Sequence, residues 1–280
     1  MTAVTPAVPM ATAADASRRV GFSHLLATEW TKIRSVRSTL WTLIIFAVVS
    51  LGLTGLITWL TIRALNSGRA GERSSGIAAD PVNFILGTGL GLSQLAICVL
   101  GVLVITSEYS SGTIRASLLA MPRRYPMLIA KGLVFSALVF VIGEAVAFGS
   151  FFLGAAIVHS HFPVALSQPN VTRAVIGSGL YLTVLGLFAL AIGSLIRHTA
   201  GAITTVIGLV LVIFPLTQLL PYSWGAHIHA YMPTVAGLLI TADKLKSGQL
   251  LSPWQGFGVF CAWTALLLIA GAYLLKRRDA

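Results

Sequence analysis

Residues 108–124, EYSSGTIRASLLAMPRR, form a polar segment between two long apolar runs, and the organisation of the whole chain follows from it. Within the segment, apolar side chains recur at positions i, i+4 and i+7, which is the spacing of one face of an α-helix. These side chains are Ile114, Leu118 and Met121. The spacing predicts a short amphipathic helix over residues 112–122 that lies at a membrane surface.

The ends of this predicted helix carry the expected signals. Gly112 and Thr113 interrupt the preceding apolar helix and can begin a new one, and Pro122 ends it. Arg123 and Arg124 follow at the negative end of the helix dipole, which favours cations. The apolar face is therefore available to lipid headgroups or to a groove on a partner. The alternative is an ordinary basic loop, which is common on the cytoplasmic side of membrane proteins.

Composition places the chain in a membrane. Of its 280 residues 56% are hydrophobic and only 10% are charged, whereas a soluble domain carries about 25% charged residues. The 19 Lys and Arg residues cluster at the ends of apolar runs rather than on a soluble domain, which argues against nucleic acid as a partner. Cys98 and Cys261 lie inside apolar runs and are interpreted as packing residues.

Six apolar runs are each long enough for a transmembrane helix, which needs about 20 residues. They span residues 40–62, 84–107, 132–158, 174–196, 199–221 and 254–275. The predicted fold class is therefore an all-α polytopic membrane protein, with one transmembrane domain over residues 21–280.

The N-terminal region divides into two parts. Residues 1–20 are rich in Ala, Thr and Pro, and we expect a disordered tail. Residues 21–38 have an apolar stripe at helical spacing, which predicts an interfacial helix with its apolar face in lipid and its charged residues, Glu29 included, away from that face. The apolar stripe consists of Phe22, Leu25, Leu26, Trp30, Ile33 and Val36.

Charge asymmetry predicts the orientation. With the N-terminus inside, thirteen Lys and Arg residues fall on inner segments and six on outer segments, which accounts for all 19. Positive residues accumulate on the cytoplasmic side of membrane proteins. The asymmetry therefore predicts that both termini and residues 108–124 are cytoplasmic.

Two features of the later spans concern packing and the external loop. Glycines recur every seven residues within the fourth run, at Gly179, Gly186 and Gly193, and within the fifth, at Gly201 and Gly208. This spacing predicts close helix packing, with a glycine-lined pathway as the alternative. The external loop 222–253 is expected to contain a helix that follows Pro233, is capped by Thr234 and runs to about Lys246. The loop at 63–83 is rich in Gly, Ser and Arg and is expected to be flexible.

Ionisable residues elsewhere suggest two further sites. Glu144 is the acid well inside a span, where a charge costs roughly 2.5 kcal/mol or more; it is a candidate pathway residue, or else a protonated carboxyl that bonds between helices. Two histidine pairs lie in predicted external loops. Four imidazoles can bind Zn²⁺ or Cu²⁺, but we interpret these pairs as not forming a metal site. These are His159, His161, His227 and His229.

The segment also resembles a known family. Glu108-Tyr109-x-x-Gly112-Thr113-Ile114-Arg115, followed by Met121-Pro122-Arg123-Arg124, is similar to the first cytoplasmic loop of bacterial ABC-2-type transporter permeases, although Ser110 stands where that family often has a basic residue. The resemblance implies that this loop is a coupling helix and that residues 21–38 are the family's connecting helix. It also implies that helices in the external loop form part of an outer gate.

The resemblance further implies an exporter and its partners. We expect a permease subunit in the bacterial plasma membrane that works with two copies of a cytoplasmic ABC ATPase and with a second permease, identical or paralogous. The chain has no phosphate-binding G-x-x-x-x-G-K-[ST] motif, so it is not expected to be an enzyme, and ATP and Mg²⁺ would be bound by the ATPase. Expected substrates are amphipathic drugs, peptides or lipids. The alternatives are an ATP-independent secondary transporter or channel, or an accessory or immunity membrane protein.

The residues assigned to ATPase coupling follow the motif. The apolar face of the coupling helix would seat in the ATPase, the arginines would contact its acidic rim or lipid, and Glu108 would hold the hinge to the second span. The full set is Glu108, Tyr109, Gly112, Thr113, Ile114, Arg115, Leu118, Met121, Arg123 and Arg124.

Overall fold

The computed structural model describes residues 22–68, 71–110, 124–245 and 248–278, and within them all regular structure is helical. The predicted tail (1–20) and the predicted coupling helix (112–122) lie outside the described residues. The helices are α1 (Phe22–Ser35), α2 (Arg37–Asn66), α3 (Glu72–Ala79), α4 (Pro81–Leu90), α5 (Gln94–Ser110), α6 (Arg124–Val158), α7 (Val171–Ile196), α8 (Thr199–Gly208), α9 (Tyr222–Ala230), α10 (Pro233–Leu238) and α11 (Pro253–Arg278).

The described residues contain six helical segments that are long and apolar enough to cross a membrane. They are Arg37–Asn66, Pro81–Tyr109, Pro126–Val158, Val171–Ile196, Thr199–Leu219 and Pro253–Leu274. The predicted all-α polytopic class is thereby confirmed. Several spans extend a few residues beyond the predicted runs, because a helix can continue past its apolar core into polar residues.

Two spans are not continuous α-helices. The second is divided into α4 and α5 by a turn at residues 91–93, and α4 begins at Pro81 with the Asp80 side chain accepting a hydrogen bond from the Asn83 backbone N–H at 3.1 Å. The fifth continues from α8 through a π-helical turn, Leu209–Ile213, and a single α-helical turn, Phe214–Leu216, and ends in a 3₁₀ turn, Thr217–Leu219. Such π turns widen a helix locally.

The bundle has two ends, which we name by their contents. The N-terminal face holds α1, the end of α5, the start of α6 and the turn between α7 and α8. The loop face holds α3, α9, α10 and the connection from Val158 to Val171. This division follows from the alternating direction of the six spans.

Helix α7 is the centre of the bundle and packs against α5, α6 and α11. Its most apolar window is 78% buried, whereas the corresponding windows of the other spans are at most 50% buried. Glycines permit this approach: a Cβ on Gly186 would lie 2.9 Å from the Phe135 ring, and one on Gly193 would lie 2.7 Å from Ile105. Close backbone approach at small residues is how helices associate in lipid.

The two glycines of α8 have different surroundings. A Cβ on Gly201 would meet its nearest atoms, in His198 and Ile196, at 3.5 Å, and one on Gly208 would have no described atom within 4 Å. Among the described residues, neither position makes the close helix–helix contact that the predicted packing role requires.

The loop face differs from the sequence expectation in three ways. The helix after Pro233 ends at Leu238, with a 3₁₀ turn to Thr241, and does not reach Lys246. Its N-cap is Met232 without a side-chain hydrogen bond, so the predicted cap by Thr234 is wrong. Helix α3, within the loop expected to be flexible, was not predicted, because it is short and has little helical periodicity to distinguish it from a loop. Helix α9 lies in the loop for which the family resemblance implied helices, but residue periodicity did not predict its bounds.

Candidate functional site

Four ionisable side chains meet at the N-terminal face, and we call them the charge cluster: Glu29, Lys32, Glu108 and Lys131. The Lys131 ammonium donates to Glu29 Oε2 at 2.5 Å and to Glu108 Oε1 at 2.8 Å. The Lys32 ammonium donates to Glu29 Oε1 at 2.9 Å and to Glu108 Oε1 at 3.1 Å. Each ammonium therefore bridges both carboxylates, and the formal charges cancel.

The charge cluster is largely removed from solvent. The side chains of Glu29 and Lys131 are each 3% exposed, that of Glu108 is 10% exposed and that of Lys32 is 40% exposed. Burial lowers the pKa of Lys32, but hydrogen bonds and charge interactions with Glu29 and Glu108 outweigh it, so that its pKa is raised above the ordinary value. Ions buried this deeply are tolerated only when they are paired and hydrogen-bonded.

The charge cluster joins residues from three helices, α1, α5 and α6. Glu29 lies on the buried face of α1 between Leu25 and Ile33, while Glu108 lies in the last turns of α5 and Lys131 near the start of α6. The cluster therefore links the residues that flank the segment 111–123 to α1.

The placement of Glu29 corrects a prediction. We expected this carboxylate to lie away from the apolar face of the interfacial helix, but its residue is 2% exposed, and Phe22 and Trp30 are exposed instead. The spacing of Leu25, Glu29 and Ile33 is i, i+4, i+8, so all three share one face. Pairing with Lys131 compensates for the burial of the charge.

A second contact extends the site to the turn between α7 and α8. The guanidinium carbon of Arg197 lies 5.0 Å from the centre of the Tyr109 ring, which is the geometry of a cation–π interaction. Arg197 itself has φ of 62° at the end of α7, and its Nη2 donates to the Leu274 carbonyl at 3.4 Å. Glu108 and Tyr109 thus connect α5 with α1, α6, α7 and α11.

Most of the residues assigned to ATPase coupling lie outside the described residues: Gly112, Thr113, Ile114, Arg115, Leu118, Met121 and Arg123. Arg124 begins α6, and Glu108 and Tyr109 have the contacts given above. Sequence reasoning missed Lys131 and Glu29 as partners of Glu108. The available signal was the position of Lys131 at the start of a long apolar helix, where a cation needs a partner.

Glu144 lies on α6 about 20 Å from Lys131, at 1.5 Å per residue. Its carboxyl packs against Gly179 of α7, where a Cβ would be 2.5 Å away. Among the described residues, neither carboxyl oxygen has a hydrogen-bond partner, although both are buried. Its assignment to a pathway stays a prediction.

Three of the four histidines at the loop face have separate partners. His161 Nε2 lies 2.8 Å from Asn66 Oδ1, His227 Nδ1 lies 2.7 Å from the Ser223 carbonyl oxygen, and His229 Nδ1 lies 2.8 Å from Thr217 Oγ1. His227 and His229 lie on α9, where residues at i and i+2 do not face each other. The described residues contain no group of three or more His, Cys, Asp or Glu placed to hold a metal ion.

The loop face has a carboxyl pair of its own. Burial of Asp243, followed by the adjacent Asp80 carboxyl, raises the pKa of Asp243 to about 6, against the opposing effect of Lys244. The segment that carries Asp243 is attached on both sides, because Arg173 donates to the Ala242 carbonyl and Lys244 donates to the Ala79 carbonyl, each at 2.9 Å.

This pair predicts a pH dependence of stability. Because the folded-state pKa of Asp243 lies above its ordinary value of 3.8, the folded protein binds more protons than the unfolded chain between these values. The free energy of unfolding should therefore fall as pH rises from about 4 to 7, by on the order of 1–2 kcal/mol. Unfolding midpoints in lipid nanodiscs would measure this, and Asp243→Asn should remove most of the slope. Glu72→Gln, which changes an exposed acid on the same face, is the control; an equal loss of slope there would contradict the assignment.

Comparison with known proteins agrees with the geometry of the bundle. The family model described as ABC-2 family transporter protein matches residues 23–280. No curated protein matches the chain. The match begins within α1 and includes all six spans and the charge cluster, so the chain belongs to the ABC-2 family of transporter proteins and is a multi-pass membrane permease component rather than a catalytic subunit.

Proposed function

We propose that this permease is the membrane subunit of an ATP-driven exporter and that the charge cluster transmits movement of the coupling segment into the bundle. The observation that carries the proposal is the double attachment of residues 111–123. Glu108, three residues before the segment, and Lys131, eight residues after it, bind each other at 2.8 Å and both bind groups of α1. A force on the segment would act on α1, α5 and α6 together.

The proposed orientation places the N-terminal face in the cytoplasm, with both termini on that side of a bacterial plasma membrane. Support comes from the thirteen-to-six distribution of Lys and Arg residues between the two faces. Two ATPase subunits would then dock on the coupling helices of two permeases, and each ATPase would bind ATP and Mg²⁺. Association with an ATPase subunit is general in this family.

In the proposed cycle, closure of the ATPases moves the two coupling helices, and the bundles change from inward-facing to outward-facing. The apolar face of residues 112–122 would seat in the ATPase. The charge cluster would make α1 move together with the coupling helix. Expected substrates are amphipathic drugs, peptides or lipids, and support comes from the apolar character of the side chains buried within the bundle.

The test is co-purification with the permease's cognate ABC ATPase. Leu118→Asp places a carboxylate at the centre of the proposed docking face, and we expect loss of at least nine-tenths of the co-purified ATPase, because a buried unpaired charge is strongly unfavourable. Ala116→Asp is the matched control, since position 116 lies on the opposite side of a helix from positions 114 and 118.

The permease variants must remain folded for this comparison, and the unfolding midpoint of the purified permease alone would establish that. Retention of the ATPase by Leu118→Asp at the wild-type level would refute docking through this face. Equal loss in both variants would refute the assignment of the face.

A further inference from the structure

A groove lies at the junction of α1 and α2, with α6 as its third wall. Val36, the residue between α1 and α2, has extended backbone angles (φ −83°, ψ 109°), so α2 does not continue the axis of α1. The volume of the groove is about 400 Å³, which is within the range of ligand sites. The groove is separate from the charge cluster, since none of the four cluster residues lines it.

The walls of the groove are apolar and partly open to the surroundings of the bundle. Leu43 is 9% exposed and Ile44 is 41% exposed, so that Leu43 forms the floor and Ile44 the open edge. Between Thr39 and Ala47 the groove follows α2 for about 12 Å, at 1.5 Å per residue. One leaflet of a bilayer has about 15 Å of hydrocarbon. The groove therefore has the polarity, and nearly the length, of one lipid acyl chain, which would also contact Leu138 of α6.

A cation stands beside this apolar surface. Arg34, one turn after Trp30 on α1, is the one charged residue among the described residues that line the groove. It is exposed, and none of the ion pairs formed between described residues includes it. Arg37, at the start of α2, is also exposed and is likewise absent from these ion pairs. The rim of the groove therefore carries positive charge that no carboxylate of the described residues balances.

The charge of the headgroup is what this groove can select. An apolar groove in a membrane gains little by exchanging one acyl chain for another, because lipid tails are as apolar as its walls. The exposed guanidinium of Arg34 is different, because its long stem can place it at the level of the headgroups, where it can bind phosphate oxygens in a bidentate manner. A zwitterionic headgroup brings its own cation to this site, whereas an anionic headgroup does not.

We propose that this groove is a binding site for an anionic glycerophospholipid from the leaflet at the N-terminal face. One acyl chain lies between α2 and α6, and the phosphate binds Arg34 at the rim. The ring of Trp30, which is 47% exposed, lies at the level of the headgroup, where amphipathic aromatic side chains are common. The site goes beyond the proposed export function and does not depend on it.

The experiment uses the full-length permease in phosphatidylcholine nanodiscs, without ATPase or nucleotide, so that its outcome is independent of coupling. Two probes carry a diazirine on the same acyl chain, one on phosphatidylglycerol and one on phosphatidylcholine, and peptide mass spectrometry maps the labelled residues. At equal mole fraction, the phosphatidylglycerol probe should label residues 40–47 and 138–142 about fivefold more, as one arginine near anionic headgroups implies. Raising the ionic strength from about 0.1 M to about 1 M should weaken this preference, because the screening length falls from about 10 Å to about 3 Å.

Two variant pairs locate the site. Arg34→Gln should abolish the preference, while Arg63→Gln, which removes an exposed arginine near the opposite end of α2, should leave it unchanged. Ala47→Trp fills the groove and should reduce labelling of residues 138–142 by both probes. Val48→Trp places the same side chain at the next position, which is 64% exposed and does not line the groove, and should not reduce it. The preference of the wild-type protein tests the proposal even if Ala47→Trp does not fold.

Four results would overturn the proposal. Equal labelling by the two probes would mean that the groove takes any acyl chain. Full retention of the preference in Arg34→Gln would mean that another group selects the headgroup. Loss of the preference when inorganic phosphate is added at constant ionic strength would mean a site for free phosphate. Absence of groove labelling in a permease that purifies as a dimer would mean that a second copy of the chain covers the groove.

Discussion

Lys131→Met is expected to destabilise the protein by roughly 3–5 kcal/mol, because removal of one partner from a buried ion pair leaves an uncompensated buried charge. The Lys131 side chain is 3% exposed and is the ammonium that reaches Glu29 Oε2 at 2.5 Å. After the substitution, two buried carboxylates share the single ammonium of Lys32. The measurement is the free energy of unfolding of the purified permease in nanodiscs.

The cluster contains its own matched control. Lys32 binds the same two carboxylates, but its side chain is 40% exposed, and water can replace much of what it provides. Lys32→Met should therefore cost about 1 kcal/mol or less. The double variant Glu29→Gln with Lys131→Met should be less destabilised than Lys131→Met alone, because it removes the unpaired charge. Equal losses for Lys131→Met and Lys32→Met would mean that burial does not determine the strength of the cluster.

The second large effect is expected at the contact between α5 and α7. A Cβ on Gly101 would overlap the carbonyl oxygen of Gly186 and would lie 3.0 Å from the Ala189 side chain. A backbone oxygen cannot move away by a rotamer change as a side-chain atom can, so Gly101→Ala should force α5 away from α7. We expect a loss of about 1–3 kcal/mol, the range for overpacked cores, measured as the free energy of unfolding.

The control for Gly101 has the opposite expected sign. A Cβ on Gly208 would have no described atom within 4 Å, so Gly208→Ala adds only helix propensity, worth up to about 1 kcal/mol in favour of the folded state. Similar losses in both variants would show that the distance to Gly186 is not what constrains position 101.

Features that depend on neighbouring residues in the chain were predictable. The six spans follow from the length of each apolar run, because lipid requires about 20 apolar residues whatever surrounds them. The short helix α3 was missed, and periodicity did not give the bounds of α9, because eight or nine residues carry too little periodicity. The motif in residues 108–124 predicted the ABC-2 family, which the family match confirms.

The sequence by itself determined the membrane class, the number of spans and the family of this protein. Only the tertiary structure decided that Glu29 and Lys131, 102 positions apart, form an ion pair, and that Gly101 lies against Gly186. The physical reason is that insertion into lipid depends on the hydropathy of each segment alone, whereas a partner for a buried charge, or space for a side chain, depends on which helices pack together and at what rotation. Periodicity places Glu29 on a helix face, and only the packing of α1 on α6 shows what that face meets.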